Sequence, residues 1–270
     1  MALRNPALSN NPAFRPAKGS TVTAEATALA TADGLQQLYE APAATAADTN
    51  RMTYGDTIGK TALLFVVLLA TATVGWFIPS LTFVGAIVGL GLGLVNAFKR
   101  NPSAPLIILY AAAQGLFVGG ISAIFEANWG GVVMQAVVAT FAVFAVTLVL
   151  FASGKVRASK KATKVFLIAM VGYVVFSLVN LGLMLFGGVS SDLAFGLRSA
   201  TVFGIPLGII IGILAVLMAA YSLVLDFDFI KNGVQNRAPR KMGWYGGFGL
   251  MVTIIWLYVE FLRLFALGRN

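Results

Sequence analysis

Residues 201–230 read TVFGIPLGIIIGILAVLMAAYSLVLDFDFI. The stretch contains no Lys, Arg or Glu, and its first charge is Asp226. A helix rises about 1.5 Å per residue, so roughly 20 apolar residues cross a hydrocarbon core about 30 Å thick. Thr201–Ile230 is therefore long enough to span a membrane as a helix. A barrel strand needs about 10 residues and alternates apolar with polar, and no such alternation is present.

Six further apolar stretches accompany it: Gly59–Ile78, Ser80–Phe98, Pro105–Phe125, Trp129–Ala152, Thr163–Phe186 and Trp244–Leu267. The expected fold is all-α: a polytopic membrane protein with a seven-transmembrane-helix bundle over residues 51–270. The first two spans, separated only around Pro79, should form a tight antiparallel hairpin. Composition agrees. Of 270 residues, 59% are hydrophobic and 11% charged, and the mean hydropathy is +0.87. A soluble domain of this size has no means of hiding that much apolar surface, whereas lipid solvates it directly.

Residues 1–50 are rich in Ala, Thr, Pro and Asn with thinly spread charge. They are expected to form a disordered cytoplasmic tail, with Gly34–Tyr39 a candidate interfacial helix. They hold no apolar run of the kind that makes a cleavable secretory signal.

The basic residues fix an orientation. Arg51, Lys60, Lys99, Arg100, Lys155, Arg157, Lys160, Lys161, Lys164, Lys231, Arg237, Arg240 and Lys241 lie before span one or near the second, fourth and sixth connectors, 13 against a single Arg198 in the others. Lys and Arg near span ends stay on the cytoplasmic side. The N-terminus is thus expected in the cytoplasm and, with seven spans, the C-terminus outside. The net charge of +9 belongs to these connectors, so nucleic acid is not an expected partner; the bilayer is.

The chain has no Cys and no His. Disulfides, zinc sites, thiol nucleophiles, c-type haem attachment and His-based acid–base chemistry are excluded. No metal cluster, triad or phosphate loop stands out, so an enzyme is not expected, nor any bound cofactor. Gly89-Leu90-Gly91-Leu92-Gly93 sits inside a span without the Lys-Ser/Thr of a nucleotide loop. Small residues recur at four-residue spacing: Gly85, Gly89 and Gly93; Gly115 and Gly119; Gly204, Gly208 and Gly212. Such faces let helices approach closely in lipid.

Charges inside spans are costly and mark candidate sites. Asp226 and Asp228 lie near the cytoplasmic end of span six, where Lys231 could answer them. Glu260 lies well inside span seven, and Arg263 three residues on shares its face. Two carboxylates meeting in a low-dielectric bundle would titrate as a coupled unit, which is a proton sensor. They would also offer hard oxygens to Ca²⁺. Glu260 falls 16 residues past Trp244, roughly 24 Å along a straight helix. A partly non-helical opening at Gly243, Gly246, Gly247 and Gly249 would bring it closer to the inner side. Gln114, Gln135, Asn180, Tyr221 and Asn96 are the other polar residues in or near spans.

Three segments, Gln114-Gly115-Leu116-Phe117-Val118-Gly119-Gly120-Ile121-Ser122, Leu225-Asp226-Phe227-Asp228-Phe229-Ile230 and Leu257-Tyr258-Val259-Glu260-Phe261-Leu262-Arg263-Leu264-Phe265, resemble the transmembrane Bax-inhibitor-motif family in its bacterial YccA/YetJ-like branch, over roughly residues 55–270. The resemblance implies that Asp226 and Glu260 take the places of the two sensor aspartates, with Lys99 or Arg100 as basic partner. Asp228 stands where the family often has Gln, and Glu260 replaces Asp. It implies a pH-sensitive passive cation leak for Ca²⁺, with H⁺ as regulator, in a bacterial cytoplasmic membrane. One branch is associated with regulating a membrane protease. A non-conducting interaction protein with such a partner is the alternative expectation. A secondary transporter fits less well, because an odd span count shows no clear pair of inverted repeats. A retinal receptor is disfavoured, since span seven has no lysine.

Overall fold

The computed structural model describes residues 50–187, 195–202 and 204–269. The expected tail of residues 1–50, all but its last residue, lies outside them, as does Asp192. Seven helices are long and apolar enough to cross a membrane: α1 (Tyr54–Phe77), α2 (Leu81–Phe98), α3 (Ala104–Asn128), α4 (Val132–Ala152), α5 (Lys160–Leu185), α6 (Leu207–Gln235) and α7 (Gly243–Leu267). The seven-helix membrane bundle is the fold, and each helix overlaps an apolar stretch of the sequence.

The ends depart from the hydropathy boundaries for local reasons. Thr53 accepts from the Asp56 N–H at 3.1 Å and so caps α1 five residues ahead of the apolar run. Ser159 caps α5 in the same way at 3.2 Å, which draws Lys160 and Lys161 into the first turn. A side-chain oxygen of this kind satisfies an N–H that the first turn leaves open. The largest change is in span six. Thr201–Val202 pairs with Ile205–Pro206 as a two-stranded hairpin, and α6 begins only at Leu207. Pro206 has no N–H to donate and fits just ahead of a helix. Gly204 consequently lies in the hairpin, with φ +77°, and not on a helical small-residue face. α6 also continues to Gln235. Asp226 is thus nine residues from its end, about 13 Å inside.

Helix α7 is the axis of the bundle. It packs on α1, α3, α4 and α6, and 56% of its most apolar window is buried, against 6% for α5. α5 sits at the periphery, held by α6 and by the short 3₁₀ turn Gly196–Ser199. A second group is built by α1, α2 and α3, where glycines remove the side chains that would hold helices apart. A Cβ on Gly85 would lie 2.6 Å from the Phe117 backbone nitrogen, and one on Gly89 would lie 2.7 Å from Gln114 Nε2. Gly119 faces the backbone of Ala72 with no room for a Cβ. Without a water-driven hydrophobic effect between helices, such backbone contact carries the association. Gly208 and Gly212 play this part on α6, against Leu267 and Leu264 of α7. Within the motif-bearing run of α3, the glycines are packing residues, and Ser122 bonds Tyr258 of α7 at 2.6 Å.

The opening of α7 is helical from Gly243 onward, so its glycines do not unwind it. They admit α1 and α6 instead: a Cβ on Gly247 would meet Thr61 Oγ1 at 3.0 Å, and one on Gly246 would meet Ile230 Cγ1 at 2.8 Å. Glu260 therefore stays about 25 Å along the helix, in the half far from the basic connectors.

That basic end is tied together by polar contacts. Asp56 takes Lys60 at 2.5 Å and Arg240 at 2.8 Å. Lys60 also donates to the Arg240 carbonyl at 2.7 Å. Met52 N–H bonds the Ala238 carbonyl at 2.8 Å, and Arg240 N–H bonds the Asn50 carbonyl at 2.8 Å. The start of α1 and the α6–α7 connector are thereby one unit. At the other end, Glu126 accepts from the Gly131 N–H at 2.6 Å and the Val133 N–H at 3.2 Å. It closes α3 and opens α4.

Gly119→Val should lower the unfolding free energy in detergent by at least about 3 kcal/mol, because backbone must move. Gly91→Val, with nothing within 4 Å of its Cβ, should change it by about 0.5 kcal/mol or less. Paired denaturation curves of the two variants check this.

Candidate functional site

The face that α7 turns to α6 and α5 carries Thr253, Trp256 and Glu260, at the spacing that stacks side chains along one side of a helix. Thr253 Oγ1 donates to Asp226 Oδ2 at 2.7 Å and lies 3.1 Å from Ser222 Oγ. Gly249, one turn below, leaves space for the carboxylate: a Cβ there would meet Asp226 Oδ1 at 2.6 Å. Asp226 has no basic partner among the described residues.

Glu260 is 1% exposed and has a wholly different setting. Its Oε1 accepts from Arg263 Nη1 at 2.6 Å and from the Tyr173 hydroxyl of α5. Its Oε2 faces Arg198 Nη1 at 3.6 Å. Arg198 is 3% exposed. It donates to Ser177 Oγ at 3.0 Å, and its guanidinium lies 5.3 Å from the Tyr173 ring and 5.5 Å from that of Phe176. Two cations and a phenol thus surround one anion, the condition for keeping a charge inside a bundle.

Arg198 reaches this position because the α5–α6 connector folds inward. Asn180 Oδ1 accepts from the Leu197 N–H at 2.7 Å, and Asn180 Nδ2 donates to the Phe195 carbonyl at 3.3 Å. Gly196 makes the turn at φ +61°, with its missing Cβ 2.6 Å from Asn180 Oδ1. That backbone conformation and that clearance both require glycine. The short 3₁₀ turn then aims Arg198 between α5 and α7.

The expected carboxylate pair is not assembled. Asp226 and Glu260 share no hydrogen bond. Thr253, the partner of Asp226, precedes Glu260 by seven residues, about 10 Å along the helix. No three acidic side chains converge among the described residues, so the two do not jointly offer Ca²⁺ its usual six to eight oxygens. Lys99 and Arg100 are exposed on the α2–α3 connector and have no ion pair among the described residues. The basic partners of Glu260 are Arg263, which sequence spacing suggested, and Arg198, which it did not. Asp228 turns to a surface cleft with Lys160 and Lys164 and accepts from Asn232 at 2.9 Å. Lys231 answers neither aspartate.

The sequence held faint signals for the missed groups. Arg198 is the one basic residue in the connectors that are otherwise free of them, and Asn180 is a lone amide in an apolar stretch. Tyr173 offers none. Three buried polar atoms along this face, Trp256 Nε1, Glu260 Oε2 and Arg198 Nη1, have no hydrogen-bond partner among the described residues. Buried groups with unused bonding capacity are uncommon and ask for a reason. Asp226, Ser222, Thr253, Trp256, Tyr173 and Glu260 together form a polar seam in an otherwise apolar bundle.

The model of the family described as Bax inhibitor 1 like matches residues 5–270. The match includes most of the Ala/Thr/Pro-rich tail, beyond the roughly 55–270 over which the motifs resemble that family. No curated protein matches the chain.

Glu260→Gln leaves two guanidiniums without their anion and should destabilise the protein by about 3–5 kcal/mol. Arg198→Gln should cost less, because Arg263 still holds Glu260. Thermal unfolding of both variants in one detergent gives the order.

Proposed function

The chain belongs to the Bax inhibitor 1 like family, and from that premise we propose that it is a passive, proton-regulated cation leak, carrying Ca²⁺ along the seam between α6 and α7. The observation that carries the reading is the contrast between the two carboxylates. Glu260 is held by two arginines and a tyrosine. Asp226 has hydroxyls beside it and no cation among the described residues.

A carboxylate with free charge among hydroxyl oxygens suits a hard cation or a proton. Protonation removes that charge and changes how α6 seats against Thr253. The gate is thus Asp226 alone, with Ser222 and Thr253 as its neighbours, and not a proton shared with Glu260. Glu260 acts with Arg198 and Arg263 as the structural lock at the far end of the seam. Trp256 Nε1, buried without a hydrogen-bond partner among the described residues, gives a hydrated path a donor between the two carboxylates.

In this reading the basic connectors and the N-terminus face the cytoplasm, the C-terminus lies outside, and the membrane is a bacterial cytoplasmic membrane. The protein performs no covalent chemistry and holds no cofactor. A non-conducting partner of a membrane protease is the weaker reading, because most of the small-residue faces it would use are filled within the bundle.

Reconstituted in vesicles, the wild type should pass Ca²⁺ at a rate that varies between about pH 5 and pH 8. Asp226→Asn should abolish that variation while the protein still elutes and melts as folded. An unaltered pH profile in Asp226→Asn would remove the assignment of the gate. Absence of flux from folded wild type at every pH would remove the leak itself.

A further inference from the structure

Helices α1 and α4 both pack toward α7 but stand apart from each other. Between them a lateral groove runs along the bundle, floored by Leu250 and Ile254 of α7 and Phe227 of α6. Phe65, Leu69, Thr140, Phe141 and Ile254 line both this groove and a second hollow of about 440 Å³ reaching toward Trp76. The part nearer the basic connectors has a volume of about 830 Å³, near the top of the range for ligand pockets. Its walls are mostly aromatic and aliphatic, with Thr57, Thr61 and Thr140 among them; Arg157 and Lys231 are the charged residues that enter it, and no carboxylate lines it.

Those two cations are unneutralised. Neither has an ion pair among the described residues. The Arg157 guanidinium lies 4.9 Å from the ring of Phe151, itself a wall of the groove. An apolar trough in the membrane region with two free cations at one end has the polarity of a phospholipid: charged head, long apolar tail. Basic side chains at a membrane surface attract anionic headgroups in proportion to their number. A partner helix of apolar sequence would fill the trough but leave Arg157 and Lys231 unanswered.

We propose that the groove between α1 and α4 binds one phospholipid of net negative charge, its headgroup phosphate held by Arg157 and Lys231 and its acyl chains laid against Phe65, Phe144 and Ile254. This site is separate from the seam of α6 and α7 and stands whether or not that seam conducts.

Native mass spectrometry of the full chain in detergent, titrated with dioleoyl phosphatidylglycerol and, separately, dioleoyl phosphatidylcholine, tests it. The wild type should retain one phosphatidylglycerol in preference to phosphatidylcholine. The double variant Arg157→Gln/Lys231→Gln should weaken that retention about twenty-fivefold, from about fivefold per charge removed. Lys99→Gln/Arg100→Gln removes the same charge at the same end but outside the groove, and should leave retention unchanged. Ala62→Trp, at an exposed position of α1 in the groove wall, should displace the lipid without disturbing the core. Equal retention of the two lipids, or equal losses in the two double variants, would overturn the proposal. So would a dimer of the chain that Ala62→Trp dissociates, because the groove would then seat a second copy.

Discussion

A charge inside hydrocarbon is costly unless opposite charges come to it, and Glu260 brings two cations from different parts of the chain. Arg263 is one turn away on α7, and Arg198 arrives from the α5–α6 connector. The second demand shapes the fold beyond its own contact. To deliver Arg198, the connector must turn at Gly196, hang on Asn180, and give up the first residues of the apolar stretch to a hairpin. α6 starts only at Leu207 and runs on to Gln235. Asp226 lies within it, beside Thr253 of α7.

The remaining helices obey a different rule. Among α1, α2 and α3 glycines bring helices together, backbone against backbone at Gly75, Gly85 and Gly119, and at the glycine-rich start of α7 they admit side chains of α1 and α6. Where large side chains replace glycine, the helices separate. Phe65, Phe141 and Phe144 stand between α1 and α4, and a groove remains where helix packing stops. Close packing on one side of α7 and a trough on another are two outcomes of residue size along the same helix pair directions.

The spans were legible because hydropathy responds to length and composition, both of which a sequence displays directly. Their ends were less so. Caps such as Thr53 and Ser159 act through single hydrogen bonds that do not alter a hydropathy average. The Glu260–Arg263 pair was readable because helical periodicity places residues three apart on one face. Arg198 was not, because a connector's path is set by turns rather than by periodicity, and a lone arginine between spans reads first as a mark of orientation. Tyr173 is one aromatic among many in an apolar helix, and only the third dimension puts its hydroxyl on a carboxylate. The expectation that Asp226 meets Glu260 required α7 to unwind at its glycines. Those glycines instead serve close packing, which keeps the helix straight and the two carboxylates about two turns apart.

The cluster of Asp56, Lys60 and Arg240 joins the first turn of α1 to the segment leading into α7. At its far end α7 is anchored by Arg263, Glu260 and Arg198. A rod pinned at both ends does not slide or tilt independently of its neighbours. The same rod is tied along its length to α5 by Tyr173 and to α6 by Asp226. α7 is thus the member through which a displacement of α1, α5 or α6 reaches the others.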